Sequence, residues 1–179
     1  HIVIYNENTT EIMEIHKGQG WAPESTWSRG QAWAILGYTQ IFVDLGDEQY
    51  YELASNILDN FLLQLNDRIV PPWDFDAPTD LYDLPEDSSA AIIVARALHY
   101  LKDFAPTDTE RNSYDELWNE FMSVLTQPPY VNINEPGSEI LSHGSHYVTN
   151  GTGYYDQGTA WGDYYFVETL WAWINSLVQ

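Results

Sequence analysis

A chain of 179 residues, 44% hydrophobic and 15% aromatic, is long enough for one domain with a substantial core. Its 27 acidic residues against six basic ones give a formal charge of −21, which argues against nucleic acid and anionic membrane surfaces as partners. With no cysteine there is no thiol chemistry, and the most apolar run, Ala90 to Leu98, is far too short to span a bilayer.

The chain opens on His1 and a strand-like run, Ile2 to Tyr5. Lacking a start methionine or signal sequence, it reads as processed or incomplete, and it fixes no compartment, secreted or cytoplasmic. Periodicity then predicts a helix from about Ser28 to Leu45 and a second from about Glu48 to Leu65, with Gly46 as the break and Asp47 as the N-cap. The second carries one apolar stripe: Tyr50, Leu53, Ala54, Ile57, Leu58, Phe61 and Leu65. A Pro- and Asp-rich loop follows from Asn66 to Glu86. The next helix, from Asp87 to about Leu101, is apolar almost all round. Thr107 and Glu110 fit a capping box opening a fourth helix, which runs to about Leu125. A second loop, Gln127 to Gln157, is rich in Gly, Asn, His and Tyr. The fifth helix, about Thr159 to Leu177, is aromatic on most faces, and its Trp171 and Trp173, like Trp118 of the fourth, are expected in the core.

Helices one, three and five are thus broadly apolar, while two and four carry a single stripe. The first kind suits an inner layer and the second an outer layer facing solvent. Inner helices start near Ser28, Asp87 and Thr159, each after a loop bearing Trp, Asp or Gly. This is the grammar of an α/α toroid whose inner-helix N-termini form one rim. Five helices cannot close such a ring, and an ordinary helical bundle is the alternative architecture.

The segment Gln19 to Trp33 concentrates chemistry. It holds three tryptophans, two glutamines and Arg29, one of only six basic residues. Aromatic faces beside a guanidinium suit a sugar carrying a carboxylate: rings stack on the sugar's apolar faces, and the guanidinium takes the acid bidentately. The competing reading is a buried Arg29 paired with a carboxylate and packed on Trp33. Other constellations carry less. His143 and His146, three apart on a loop, are a weak metal signal without further ligands at suitable spacing. No nucleophile elbow and no phosphate loop is present. Asn8-Thr-Thr and Asn150-Gly-Thr are glycosylation sequons, meaningful only in a secreted protein.

Four motifs in order carry a resemblance: Gln19 to Trp33, Trp73-Asp-Phe-Asp-Ala-Pro78, Asp87-Ser-Ser-Ala-Ala91 and Trp161-Gly-Asp-Tyr-Tyr165. In these the chain resembles the unsaturated glucuronyl hydrolases of glycoside hydrolase family 88, over nearly its whole length. The spacing of His1 and Gln19 fits the same pattern. The resemblance implies an all-α, (α/α)6 barrel, of which residues 1–179 form the C-terminal part of a single domain.

It further implies hydrolysis of Δ4,5-unsaturated uronic acid from the non-reducing end of lyase-generated oligosaccharides. In that chemistry a carboxylic acid protonates the vinyl ether and water adds to the double bond, with no metal, nucleotide or other cofactor. His1, Gln19, Trp27, Arg29 and Trp33 match the family's substrate-lining residues. The family's two essential aspartates precede the position of His1, so no catalytic residue is assigned here. Asp87 is expected as an N-cap and Asp163 as a structural acceptor. The implied partners are the unsaturated oligosaccharide and the N-terminal half of the same enzyme, with no nucleic acid and no membrane. Two departures stand out. Gly18 replaces a histidine common before the pocket glutamine, and Asp156-Gln-Gly-Thr159 replaces a segment whose serine reaches the substrate. Alternatives are an unsaturated rhamnogalacturonyl hydrolase on the same fold, and a non-catalytic carbohydrate-binding or scaffold protein.

Overall fold

The computed structural model of the chain describes residues 2–79, 84–131, 139–149 and 152–176. In order these form β1 (Ile2–Tyr5), β2 (Ile12–His16), α1 (Ser28–Leu45), α2 (Glu48–Leu65), α3 (Ser88–Phe104), α4 (Asp108–Leu125), β3 (Tyr147–Thr149), β4 (Thr152–Tyr154) and α5 (Ala160–Ser176).

The helix boundaries follow from local chemistry. Gly46 ends α1 in the left-handed region at φ 70°, and its N–H donates to the Phe42 carbonyl at 2.7 Å. Asp47 then caps α2, accepting from the Gln49 N–H at 3.1 Å. Asp87 caps α3 in the same way, accepting from Ser89 N–H at 3.1 Å. Thr107 caps α4, with its Oγ1 accepting from Glu110 N–H at 3.2 Å while its hydroxyl donates to the Glu110 carboxylate at 2.5 Å.

The five helices form two layers. The α3 helix packs on α1 and α5 as inner neighbours and on α4 behind it, while α1 packs on α2. Enclosed on several sides, α3 is buried at every position from Ser88 to His99. The outer helices bury single stripes: Ala54, Leu58, Phe61 and Leu65 of α2, and Tyr114, Trp118, Phe121 and Leu125 of α4. This inner and outer arrangement is the one expected for an arc of an α/α toroid.

One expectation fails. Trp118 is in the core, but Trp171 is 66% exposed and Trp173 38%. The α5 helix buries only Gly162, Phe166 and Thr169, the face turned to α3. Its opposite flank is open because the arc ends there and no described element covers it. The strand-like run Ile2 to Tyr5 is β1, but its pairing into a hairpin and the second hairpin went unforeseen. The exposed strands β1 and β2 pair antiparallel, Ile2 opposite His16, and β3 pairs with β4, Tyr147 opposite Tyr154. The alternation of β2, β3 and β4 is too short to announce itself in sequence. Among the described residues no helix is long and apolar enough to cross a membrane.

Candidate functional site

The rim is built by one loop buttressing another. The segment Gln19 to Thr26 lies against Trp73-Asp-Phe-Asp76. Trp73 Nε1 donates to the Gln19 carbonyl at 2.9 Å. The fully buried Asp74 carboxylate accepts from Trp21 N–H at 2.9 Å, from Ser25 Oγ at 2.7 Å and from Asp76 N–H at 3.0 Å. Asp76 in turn accepts from Thr26 N–H at 2.7 Å. These two aspartates hold the loop and are occupied in doing so. Gly18 begins the turn into Gln19 at φ 58°, a conformation glycine adopts without the penalty a histidine would meet there.

Into this frame α1 projects Arg29, only 2% exposed. Its Nη1 donates to Asp87 Oδ2 at 2.5 Å and to the Ser145 carbonyl. Its Nη2 donates to Gln19 Oε1 and to the His146 carbonyl, each at 2.7 Å. The guanidinium carbon lies 4.9 Å from the ring centroids of both Trp27 and Trp161, within cation–π range. Three segments distant in sequence therefore meet on one cation: the Gln19 loop, the α3 N-cap and the loop before β3.

Burial pushes the Asp87 carboxyl up and the Arg29 guanidinium down, and their mutual attraction opposes both shifts. We take the pair as ionised. Asp87 accepts from Arg29, from Ser89 N–H and from the Ser89 hydroxyl, and lies 3.3 Å from the Ser145 N–H, while a guanidinium offers donors only. Trp161 Nε1 donates to Ser89 Oγ at 3.0 Å, which ties α5 to the same cluster.

The hub also orients Gln19. A guanidinium cannot accept a hydrogen bond, so the Gln19 amide must turn its oxygen inward to Arg29. Its Nε2 is left as a half-buried donor without a partner among the described residues. Trp33, one turn beyond Arg29, packs edge-on against Tyr165 at 5.4 Å rather than on the guanidinium. His146 sets its imidazole against Trp161 at 5.3 Å, and burial, followed by the Arg29 charge, pushes its pKa down while Asp87 partly offsets the shift.

Of the residues singled out from sequence, Gln19, Trp27 and Arg29 are brought together, Trp33 lies beside them on α1, and His1 lies outside the described residues. Asp87 is the N-cap expected, and it is also the partner of Arg29, which its sequence context did not signal. Asp163 accepts from the N–H groups of Ile140 and Leu141, both at 2.9 Å, as expected of a structural acceptor. The Thr159 hydroxyl accepts from Gly162 N–H at 3.1 Å and so caps α5. His143 pairs with the Asp156 side chain, and among the described residues no group of three or more His, Cys, Asp or Glu is placed to hold a metal. The Asn150 sequon lies outside the described residues.

No protein-family profile matches the chain. It is 31% identical over 172 residues to an unsaturated glucuronyl hydrolase of Formosa agariphila, covering 95% of this chain and 42% of that protein. It superimposes at a TM-score of 0.84 and 26% identity on the crystal structure of an unsaturated glucuronyl hydrolase specific for heparin, covering all of this chain and 48% of that one. A Streptococcus agalactiae unsaturated glucuronyl hydrolase, solved as a mutant complexed with dGlcA-GalNAc6S, matches at a TM-score of 0.76 and 30% identity, over 94% of this chain and 45% of that one. The chain thus spans less than half the length of the relatives it matches. Its two helical layers are part of the (α/α)6 barrel that those structures share.

Proposed function

We propose that this chain, which belongs to the unsaturated glucuronyl hydrolase family, supplies the C-terminal part of a barrel that removes Δ4,5-unsaturated glucuronic acid from the non-reducing end of lyase-generated oligosaccharides. The observation that carries the reading is the Arg29 hub, which fixes a tryptophan-walled rim and leaves Gln19 Nε2 as an oriented donor uncommitted among the described residues.

In this reading the barrel's remaining part supplies the carboxylic acid. That acid gives its proton to C4 of the vinyl ether, water adds at C5, and the hemiketal collapses with departure of the aglycone. The present chain holds and orients the sugar. Trp27 and Trp33 offer aromatic faces, and Gln19 Nε2 donates to a sugar oxygen. Arg29 contributes a positive charge from behind that amide, since both its terminal nitrogens are engaged by protein acceptors. The family resemblance assigns His1 to substrate binding as well.

The experiment is a turnover assay with the barrel-completing segment present. The C4–C5 double bond absorbs in the ultraviolet, so loss of absorbance reports its hydration. Unsaturated chondroitin disaccharide should be consumed, and Gln19→Ala should slow the reaction chiefly through a raised KM. Turnover of an unsaturated rhamnogalacturonan disaccharide alone would replace the glucuronyl assignment with the rhamnogalacturonyl one. Calorimetric binding of the sugar without turnover would make the protein a non-catalytic binder.

A further inference from the structure

The segment that brings backbone carbonyls to Arg29 is irregular between two regular pairings. Tyr147 of β3 lies opposite Tyr154 of β4, and the same antiparallel pairing resumes with Gly144 opposite Gln157. There the Gly144 N–H donates to the Gln157 carbonyl at 2.8 Å, and the Gln157 N–H to the Gly144 carbonyl at 3.0 Å. Between the two pairings lie Ser145 and His146 on one side, Tyr155 and Asp156 on the other. In a regular strand successive carbonyls point to opposite sides. Here the Ser145 and His146 carbonyls both turn to one guanidinium, that of Arg29. The ladder opens where the hub draws on it.

Two residues bracket the opening, and both have left-handed backbones: His143 at φ 62° and Asp156 at φ 56°. His and Asp tolerate this region better than most residues, and such conformations cluster where the surroundings of a site over-determine them. Their side chains meet, His143 Nδ1 on Asp156 Oδ1. The carboxylate fixes the imidazole with its Nδ1–H toward Asp156. His143 is also tied to the scaffold. Its carbonyl accepts from Ser88 N–H, at the start of α3, at 3.0 Å. Its ring stands edge-on to Tyr130 at 5.7 Å, and the Tyr130 hydroxyl donates to the Glu86 carboxylate at 2.6 Å.

We infer that His143 and Asp156 are positioning residues for the sugar-binding amide. Their pair clasps the two sides of the opening and holds the Ser145 and His146 carbonyls on Arg29. Arg29 in turn keeps the Gln19 oxygen facing inward, which leaves Nε2 to face the sugar. The inference rests on the proposed reading of Gln19 as a sugar contact. Neither residue touches the sugar; each acts through the hub. With the His143 side chain 35% exposed and that of Asp156 63%, the clasp adds little to overall stability, because ion pairs in contact with water are weak. Its effect is on the geometry of one loop.

Glycine takes positive φ without penalty, so His143→Gly and Asp156→Gly remove the clasp while leaving the backbone conformation favoured. Asp156→Asn keeps the acceptor and removes the charge. In this chain, NMR with ¹⁵N-arginine labelling follows exchange of the Arg29 Nη protons with water, the signal being assigned with Arg68→Lys, Arg96→Lys and Arg111→Lys. With the barrel-completing segment present, KM and kcat are measured on unsaturated chondroitin disaccharide. Each glycine variant should speed the Arg29 exchange and raise KM by about threefold, the scale of an exposed ion pair, with kcat held. Asp156→Asn should lie nearer the wild type than Asp156→Gly. A clasp that only stabilises the fold would lower the urea midpoint and leave KM unchanged, and that result overturns the inference. Faster Arg29 exchange with an unchanged KM also overturns it, because the hub would then not set the amide. Either outcome in an active enzyme leaves the glucuronyl reading standing. A wild type without turnover sinks that reading, and the inference with it.

Discussion

Two tryptophans ten residues apart on α5 live in opposite circumstances. Trp161, at the rim, donates to Ser89 Oγ and lies against the Arg29 guanidinium. Trp171, two to three turns on, is 66% exposed beside Tyr164, Val167 and Ile174, which are all about half exposed. At the rim the cation and its carboxylate are engaged within the chain. The flank is unfinished, an apolar face of the kind that marks an interaction surface. Side-chain chemistry alone does not separate the two, since both are tryptophans on an apolar helix. What separates them is position in the ring.

The sharpest way to break this comparison is to remove the hub's cation. Arg29→Ala leaves Asp87 buried and ionised without its counter-charge, and a loss of about 3–5 kcal/mol in stability is expected by urea denaturation. Asp87→Ala should cost a similar amount, and the double variant should be less damaged than the two losses added together. If the losses prove additive, Arg29 and Asp87 do not act as a pair. Next come the tryptophans themselves. Trp118, 2% exposed, should lose about 3–5 kcal/mol on truncation to alanine. Trp171→Ala should shift stability by no more than about 0.5 kcal/mol. An equal cost at both positions in the isolated chain would show that the α5 flank is already covered.

A smaller effect tests the outer layer. Thr107→Ala removes the cap of α4 and should cost about 1 kcal/mol, because the Glu110 N–H loses its acceptor. That cap was legible in sequence, as was the Gly46–Asp47 break between α1 and α2, since each is set by residues within one turn. The layering was legible too: a helix apolar on every side, such as α3, has to be enclosed. The fate of Arg29 was not. Sequence left open whether it meets a sugar acid or a buried carboxylate, because Asp87 lies 58 residues away and the Ser145 carbonyl 116 away. Backbone acceptors carry no mark in a sequence at all. The exposure of Trp171 escaped for a related reason, since an apolar flank looks the same whether its neighbour is in the chain or beyond it.

The mildest prediction turns on His99, buried on α3 toward Trp118, with Nδ1 buried and without a partner among the described residues. Burial pushes its pKa below the usual 6.5, and the charges of Lys102 and Arg96 push the same way, against the weaker pull of Asp103 and Asp115. The unfolded chain therefore takes up the proton first as pH falls. Between 6.5 and the lower folded value the unfolded state binds more protons, so stability rises with pH across that window. It is complete above 6.5 and declines as the pH drops through it. His99→Gln removes the titrating group while keeping a polar side chain of similar reach. The urea midpoint of the wild type should fall between pH 7.5 and pH 5.5 by more than that of the variant. Equal shifts would assign the acid sensitivity to other groups, with His146 the next to examine, because burial and Arg29 depress its pKa as well.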